Sequence, residues 1–303
     1  MSRAIVATLA LIAALGAGSD EVQAQDRLKV VASFSILADF AKNVGGDRIE
    51  VATLVGPGGD AHVYTPTPAD ARNVAAAKLV VVNGLGFEGW LQRLVKSAGD
   101  KALLVTATRG IAPRTDKTVA KDRKGSEGDA DPHAWQSVAN AKIYVANIRD
   151  ALIAADAAGA ASYRANAEGY LAKLDVLDRD VREAVRKLPA ERRNVISTHD
   201  AFGYFADAYG ITFIAPQGVS TESEATARDV ARIITQIKAQ KIPAVFLENV
   251  SDPRLMRRIS QESGARLGGT LFSDSLTDEK GAAPTYIDMI RYNIKALASA
   301  LAD

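Results

Sequence analysis

Short aliphatic and β-branched runs alternate with amphipathic stretches along most of the chain. In the first half the strand-like runs are 28–33, 49–55, 79–83 and 103–106, with helix-like segments at 36–44 and 68–77. In the second half the strand-like runs are 194–197, 212–214, 244–248 and 265–272, with helix-like segments at 226–240 and 253–263. Alternating strands and helices form parallel sheets, so the pattern predicts two α/β lobes.

One long amphipathic segment separates the two series. Over 162–188, apolar side chains recur at spacings of three and four, and the pattern stops at Pro189. This predicts a single stiff helix that joins an N-terminal lobe, residues 25–161, to a C-terminal lobe, residues 189–303.

The first 24 residues have a different character. A cation at Arg3 precedes an uncharged apolar run over 4–17, and the small-residue pattern Val22-Gln23-Ala24 follows. We interpret residues 1–24 as a cleaved secretory signal, which predicts a periplasmic protein. The chain contains no cysteine, so no lipid anchor is expected at the cleavage point.

Composition excludes several function classes. Lys+Arg 37 nearly balance Asp+Glu 36 in the 303 residues, which leaves a net charge of +1 and no global field to attract nucleic acid. The absence of cysteine removes disulfides, thiolate catalysis and cysteine-based zinc sites. We therefore expect no nucleic-acid partner.

Only three histidines occur in the chain, and all of them fall in predicted loops. His62 and His133 each follow an aspartate by two residues, and His199 follows a strand-like run. Ligands of open α/β sheets bind near the carboxyl ends of strands, which makes these residues candidate metal ligands. Each of them taken alone is equally well explained as a surface or core residue.

Asp274, at the end of the last strand-like run, is a fourth candidate. Three imidazoles and one carboxylate form a set of donors that suits Zn²⁺. A role for Asp274 as a helix cap or turn residue is the alternative, and Asp278 and Glu279 are rivals in a nearby polar turn.

Several other carboxylates are candidates for orienting the histidine rings. They are Asp60, Asp131 and Asp200. Glu248, at the end of the strand-like run 244–248, is a separate candidate for an acid in the cleft. A structural role in a turn explains each of them equally well.

Residues 84–89 match the G-x-G-x-x-G pattern of dinucleotide-binding loops. The pattern follows the third strand-like run, whereas a dinucleotide site would follow the first, and no acidic residue for a ribose ends the next strand. We expect these glycines to form a tight turn that allows close packing of helix on strand.

Seven segments carry a family resemblance. In order they are VVASFSI at 30–36, DAHVYTPTP at 60–68, VNGLGFEGW at 82–90, DPHAW at 131–135, THDAFGYF at 198–205, FSDSL at 272–276 and YIDM at 286–289. Together they resemble the metal-binding solute-binding proteins of ABC importers, cluster A-I. The resemblance implies two Rossmann-like lobes with parallel sheets, joined by one long rigid helix, with the metal in the cleft between the lobes.

The resemblance also places the family's metal ligands at His62, His133, His199 and Asp274. Members that prefer manganese or iron tend to have glutamate at the third position, so His199 implies the zinc type, and imidazole favours zinc over the harder manganese. A monomer that carries Zn²⁺ to a cognate ABC permease in the inner membrane is expected. A manganese or iron binder of the same family is the alternative.

Two further expectations concern the loop at 116–130 and catalysis. Many zinc members of the family have a histidine-rich loop before the second ligand, whereas 116–130 contains no histidine. We expect this loop to act as a lid or to receive metal from a periplasmic zinc chaperone. Three histidines with an open fourth position would resemble a zinc hydrolase. Asp274 in that position closes the site, so we expect a binding protein and not an enzyme.

Overall fold

The computed structural model describes residues 27–115 and 130–302. The predicted signal at 1–24 and nearly all of the loop at 116–130 lie outside these residues. No helix within the described ranges is long and apolar enough to cross a membrane.

Each half of the molecule contains one four-stranded parallel sheet. The first sheet has the order β2-β1-β3-β4 and consists of β1 (Leu28–Phe34), β2 (Ile49–Val55), β3 (Leu79–Val82) and β4 (Leu103–Thr106). A separate antiparallel pair contains β5 (Arg114–Thr115) and β6 (Ala130–Asp131). The second sheet has the order β10-β9-β7-β8 and consists of β7 (Asn194–Ile196), β8 (Thr212–Ile214), β9 (Ala244–Glu248) and β10 (Arg266–Leu271). The prediction of two lobes with parallel sheets is confirmed.

Nine α-helices surround these sheets within the described ranges. Those before the second sheet are α1 (Ser35–Gly45), α2 (Pro68–Ala76), α3 (Leu91–Ser97), α4 (Val138–Ala155) and α5 (Ala160–Arg186). Those that follow are α6 (Gly203–Tyr209), α7 (Ala227–Gln240), α8 (Pro253–Ser263) and α9 (Tyr286–Leu301). A short 3-10 helix at Ala134–Gln136 comes directly after His133.

The long connecting helix α5 contains 27 residues and begins and ends two residues earlier than the predicted segment. Its buried stripe is Tyr163, Ala167, Tyr170, Leu174, Leu177, Val181 and Val185, which includes most of the periodic positions in the sequence. Near its start, Asp156 accepts hydrogen bonds from Tyr163 and Arg48 of the N-terminal half. Farther along, Asp178 accepts one from Tyr209 of α6, so the helix is attached to both halves.

The buried apolar residues form two clusters of unequal size. The larger one runs continuously from the first sheet through α1, α4, α5 and α9 to one face of the second sheet. The smaller one fills the space between the second sheet and the helices α7 and α8, and contains Ile196, Val230, Ile233, Ile237, Ile242, Val245, Met256, Ile259 and Ala265. The outer layer of the second lobe therefore has a core of its own.

Candidate metal centre

The structure brings the four predicted site residues together between the two sheets. His62 lies in the loop between β2 and α2, and His133 lies two residues after β6. His199 follows β7 and Asp274 follows β10, so both come from carboxyl ends of strands in the second sheet. One potential ligand atom from each residue lies within 4.8 Å of the others. All four side chains are buried, with His62 the most accessible at 4% exposure.

The distances between donor atoms match those around a single small cation. The carboxylate of Asp274 lies 3.4 Å from Nε2 of His62 and 3.1 Å from Nε2 of His199. It lies 3.6 Å from Nε2 of His133, and the Nε2 atoms of His62 and His133 are 3.2 Å apart. A tetrahedron with metal–ligand bonds of about 2.0 to 2.2 Å has edges of about 3.3 to 3.6 Å. Four of the donor distances are therefore close to the edges of a tetrahedral metal shell, while the four ligand atoms taken one from each residue lie within 4.8 Å of one another.

Polar atoms in this cluster lack partners that the protein itself would supply. Within the described residues, neither carboxylate oxygen of Asp274 nor Nε2 of His199 has a hydrogen bond of good geometry, although all three atoms are buried. Buried polar groups are normally satisfied, because an unpaired one loses its hydration without compensation. A cation at the centre of the cluster would satisfy all three atoms at once.

The charge of the site points to the same kind of ligand. Three carboxylates are almost completely buried here, those of Asp131, Asp274 and Glu248. Among the described residues, Arg114 is the one permanent cation with an ion pair to any of them, and it contacts Asp131 at 3.3 Å. A divalent cation beside Asp274 would reduce the remaining negative charge.

The acid–base properties of the cluster reflect this packing. Burial disfavours a charge on His199, but the carboxylates of Glu248 and Asp274 outweigh this effect and raise the pKa of His199 well above its ordinary value. Burial alone would raise the pKa of Asp274, yet His199 and His133 hold it well below its ordinary value. Burial lowers the pKa of His62. A metal that binds here therefore competes with a proton for His199.

Buried carboxylates hold two of the imidazole rings. Oδ1 of Asp131 lies 2.8 Å from Nδ1 of His133 and also accepts the backbone N–H of that residue. Oε2 of Glu248 lies 2.5 Å from Nδ1 of His199, an ionic contact that does not have the geometry of a hydrogen bond. Both contacts direct Nε2 of the ring toward the centre of the cluster, as in many metal sites.

The other two candidate orienting residues have different partners. Asp60 accepts hydrogen bonds from the backbone N–H of His62 and from the hydroxyl of Thr221. The charge of Asp200 contributes to the raised pKa of Arg114. The ring of His62 is instead packed edge-on against Phe87, with 4.6 Å between ring centres, a contact that the sequence analysis missed.

The Asp274 loop is encoded next to the second sheet but is also fastened to the first half of the molecule. The carbonyl of Ser273 accepts hydrogen bonds from the side chains of Trp135 and Gln136, at 2.9 and 2.7 Å. The backbone N–H of Leu276 donates to the hydroxyl of Ser35 at 2.9 Å. Both halves of the molecule therefore fix the position of this carboxylate, and these anchors had no signal in the sequence.

The glycines of the 84–89 motif form a tight turn, as predicted. Gly84, Leu85 and Gly86 all have positive φ, and a Cβ atom on Gly84 would lie 2.5 Å from Cγ2 of Thr106. The carboxylate of Glu88 accepts hydrogen bonds from the Ser33 hydroxyl and from backbone N–H groups at the start of the turn. This turn positions Phe87 against His62.

Fold and site together define a class of protein. Three imidazoles and a carboxylate are buried together between two lobes with parallel sheets, as in a two-lobed metal-binding protein. Residues 30–300 match the protein family described as zinc-uptake complex component A, periplasmic. The chain belongs to this family, whose members are metal-binding substrate-binding proteins of ABC transporters. It is therefore a substrate-binding protein and not an enzyme.

Two relatives are similar over most of their length. The iron-binding protein YfeA of Yersinia pestis is 37% identical over 273 residues, which are 90% of this chain and 86% of that protein. The manganese-binding lipoprotein MntA of Halalkalibacterium halodurans is 35% identical over 300 residues, which are 98% of this chain and 97% of that protein.

Two solved structures show the same architecture. The periplasmic zinc binding protein TroA from Treponema pallidum superimposes with a TM-score of 0.83 at 31% identity, over 91% of this chain and 99% of that one. The Mn-bound periplasmic metal binding protein from Candidatus Liberibacter asiaticus gives a TM-score of 0.81 at 29% identity, over 91% of this chain and 100% of that one. The two-lobed fold with its long helix is thus confirmed, and the named metals differ between these proteins.

Proposed function

We propose that this protein captures Zn²⁺ in the periplasm as a monomer, with His62, His133, His199 and Asp274 as ligands, and delivers it to a cognate ABC permease in the inner membrane. The observation that carries this proposal is the buried cluster of three imidazole nitrogens and one carboxylate, whose ligand atoms lie within 4.8 Å of one another. A closed shell of this kind holds a metal and leaves no position for an activated water.

The donor set favours zinc on chemical grounds. Imidazole nitrogen suits zinc, whereas manganese prefers oxygen donors, and three of the four donors here are imidazoles. The similarity to a protein named for zinc binding supports the same metal.

A second candidate metal is manganese or iron. The two relatives at 37% and 35% identity are named for iron and manganese. In addition, Oδ1 of Asp274 faces His133 while Oδ2 faces His62 and His199, so the carboxylate is able to bind one ion through both oxygens. Five donors with two oxygens would suit the harder metals better.

Metal competition separates these candidates. Because zinc binds most sites more tightly than manganese or iron at equal concentrations, untagged protein is purified without oxygen from the periplasm of cells supplied with all three metals, and the bound metal is measured by elemental analysis. We expect one zinc ion per chain. NMR signals of the histidine rings show whether the metal is bound at this site, because all three histidines of the chain belong to the cluster. Retention of manganese or iron in place of zinc would favour the second candidate.

The substitution His199→Glu tests the basis of the selectivity. It replaces the third imidazole with a carboxylate and should shift preference from zinc toward manganese, because oxygen donors then equal nitrogen donors in number. Calorimetric titration with each metal measures the ratio of the two affinities. An unchanged ratio would argue against His199 as a ligand.

A further inference from the structure

A segment of the second lobe connects the loops of two metal ligands from opposite halves. We call residues 217–221 the strap. At one end, the backbone N–H of Gln217 donates to the carbonyl of Thr198 at 3.3 Å. The backbone N–H of Asp200 donates to the carbonyl of Gly218 at 3.2 Å. The strap is therefore paired with the residues on both sides of His199.

The other end of the strap reaches the first half of the molecule. The hydroxyl of Thr221 donates to Oδ2 of Asp60 at 2.7 Å, across 161 positions of sequence. The other oxygen of the same carboxylate accepts the backbone N–H of His62 at 2.9 Å. A single carboxylate thus holds the His62 loop with one oxygen and the strap with the other.

This arrangement couples the positions of the two imidazoles. If the hydrogen bond between Thr221 and Asp60 breaks, the His62 loop loses its connection to the strap, and through it to the His199 loop. A hydrogen bond to a charged acceptor is among the stronger ones in proteins. Its two residues are only half buried, and they line a pocket of about 380 Å³ together with Thr198, so water is able to compete for the bond. The hydrogen bond is therefore strong enough to keep the strap and the His62 loop together, and water reaches it well enough to break it.

We propose that the Thr221–Asp60 hydrogen bond is a latch that positions His62 against His199 and sets the rate at which the bound metal is released. Thr221 and Asp60 are positioning residues, because they act on the metal through the ligand loops. The inference rests on the proposed metal-binding function and adds to it a determinant of release.

The test is the rate of Zn²⁺ release from the full chain. Loaded protein is mixed with excess chelator and free zinc is followed with an indicator dye. Thr221→Val keeps the shape of the side chain and removes the donor, and we expect release about tenfold faster with an unchanged rate of association. Thr221→Ser restores a hydroxyl and should release metal within about twofold of the wild-type rate.

Thr235→Val is the matched control. Thr235 is exposed on α7 and its hydroxyl bonds within its own helix, so this variant should behave as wild type. Thermal unfolding of the metal-free variants separates a latch from a general loss of stability, since Thr221→Val should lower the melting temperature by only about 2 to 4 °C, the loss expected from a single hydrogen bond.

The outcomes distinguish the two proposals. Wild-type release rates for Thr221→Val would overturn the latch, and so would Thr221→Ser releasing metal as fast as Thr221→Val. Faster release by Thr221→Val in proportion to a lowered melting temperature would also overturn it. Failure of the wild-type protein to take up Zn²⁺ would overturn the proposed function as well as the latch.

Discussion

Each half of the molecule places a buried carboxylate against the ring of one histidine. The two carboxylate–imidazole pairs are assembled differently. In the N-terminal half, Asp131 precedes His133 by two residues and bonds both its ring and its backbone N–H. In the C-terminal half, Glu248 comes from the end of β9, while His199 follows the neighbouring strand β7. Glu248 likewise accepts the backbone N–H of His199 with its other oxygen, at 3.1 Å.

The two carboxylate–imidazole pairs differ in how much of the chain must fold before each pair can form. The pair of Asp131 and His133 is local and needs only a turn of the chain. The pair of Glu248 and His199 needs strands β7 and β9 to be aligned, so it depends on the second sheet being folded. The orientation of His133 is thus a property of a short segment, whereas that of His199 is a property of the lobe.

The largest effect should come from Asp274, the proposed ligand that both halves anchor. Asp274→Ala removes the only carboxylate at the centre of the cluster and should weaken zinc binding by more than about 100-fold, beyond the loss typical of a residue that only supports a ligand. Isothermal titration with a competing chelator measures the affinity.

Asp278→Ala is the control for this change, because Asp278 is an exposed carboxylate in the same region. If the zinc affinity of Asp274→Ala were unaltered, or if Asp278→Ala lost as much affinity, Asp274 would not be a metal ligand. The metal would then not depend on the residue that both halves anchor.

A smaller effect should follow when the orienting carboxylates are neutralised. Glu248→Gln and Asp131→Asn should each weaken zinc binding by about 10- to 100-fold, because each amide supports the ring less well than a carboxylate. Glu262→Gln on α8 is the exposed control. If only one of the two orienting substitutions altered the affinity, the two imidazole–carboxylate pairs would not be equivalent.

The same contrast explains what the sequence could predict about the site. The positions of the three histidines in loops and of Asp274 at the end of a strand-like run pointed to the four clustered residues, and the spacing of two drew attention to Asp131, since a local pair leaves a local pattern. Asp200 is the neighbour of His199 in the sequence, yet the structure places Glu248, predicted only as an acid in the cleft, at that ring. A contact between strands depends on sheet order and register, and one sequence does not encode these in any short pattern.

Secondary structure shows a similar division. The strand-like runs located all eight strands of the two large sheets to within about one residue. Of these, β1, β3 and β9 are the largely buried, continuous apolar runs expected of central parallel strands. The helix α4 was not predicted, since alanine recurs on all of its sides and weakens the contrast between faces. The anchors of the Asp274 loop, Trp135 and Gln136, are tertiary contacts and had no local signal.

The smallest effects should appear where the long helix meets each half. Partial burial raises the pKa of Asp156, but hydrogen bonds from Tyr163 and Arg48 outweigh this and hold the pKa below its ordinary value. For Asp178 burial acts in the same direction, and hydrogen bonds from Arg182 and Tyr209 again hold the pKa below its ordinary value. A carboxylate with a lowered pKa in the folded state stabilises the fold above its unfolded pKa of about 3.9. That stabilisation is lost as the pH falls through the lower folded value.

Asp156→Asn and Asp178→Asn should therefore each reduce the free energy of unfolding by about 1 kcal/mol at pH 7, and the difference from wild type should shrink below about pH 4. Urea unfolding of the metal-free protein at several pH values measures this. Asp180→Asn, an exposed position on the same helix, should change stability by less than about 0.5 kcal/mol. If only one of the two variants lost stability, carboxylates would attach the long helix to one half of the molecule only. If the loss of stability persisted unchanged in acid, the charge of the carboxylate would not be its cause.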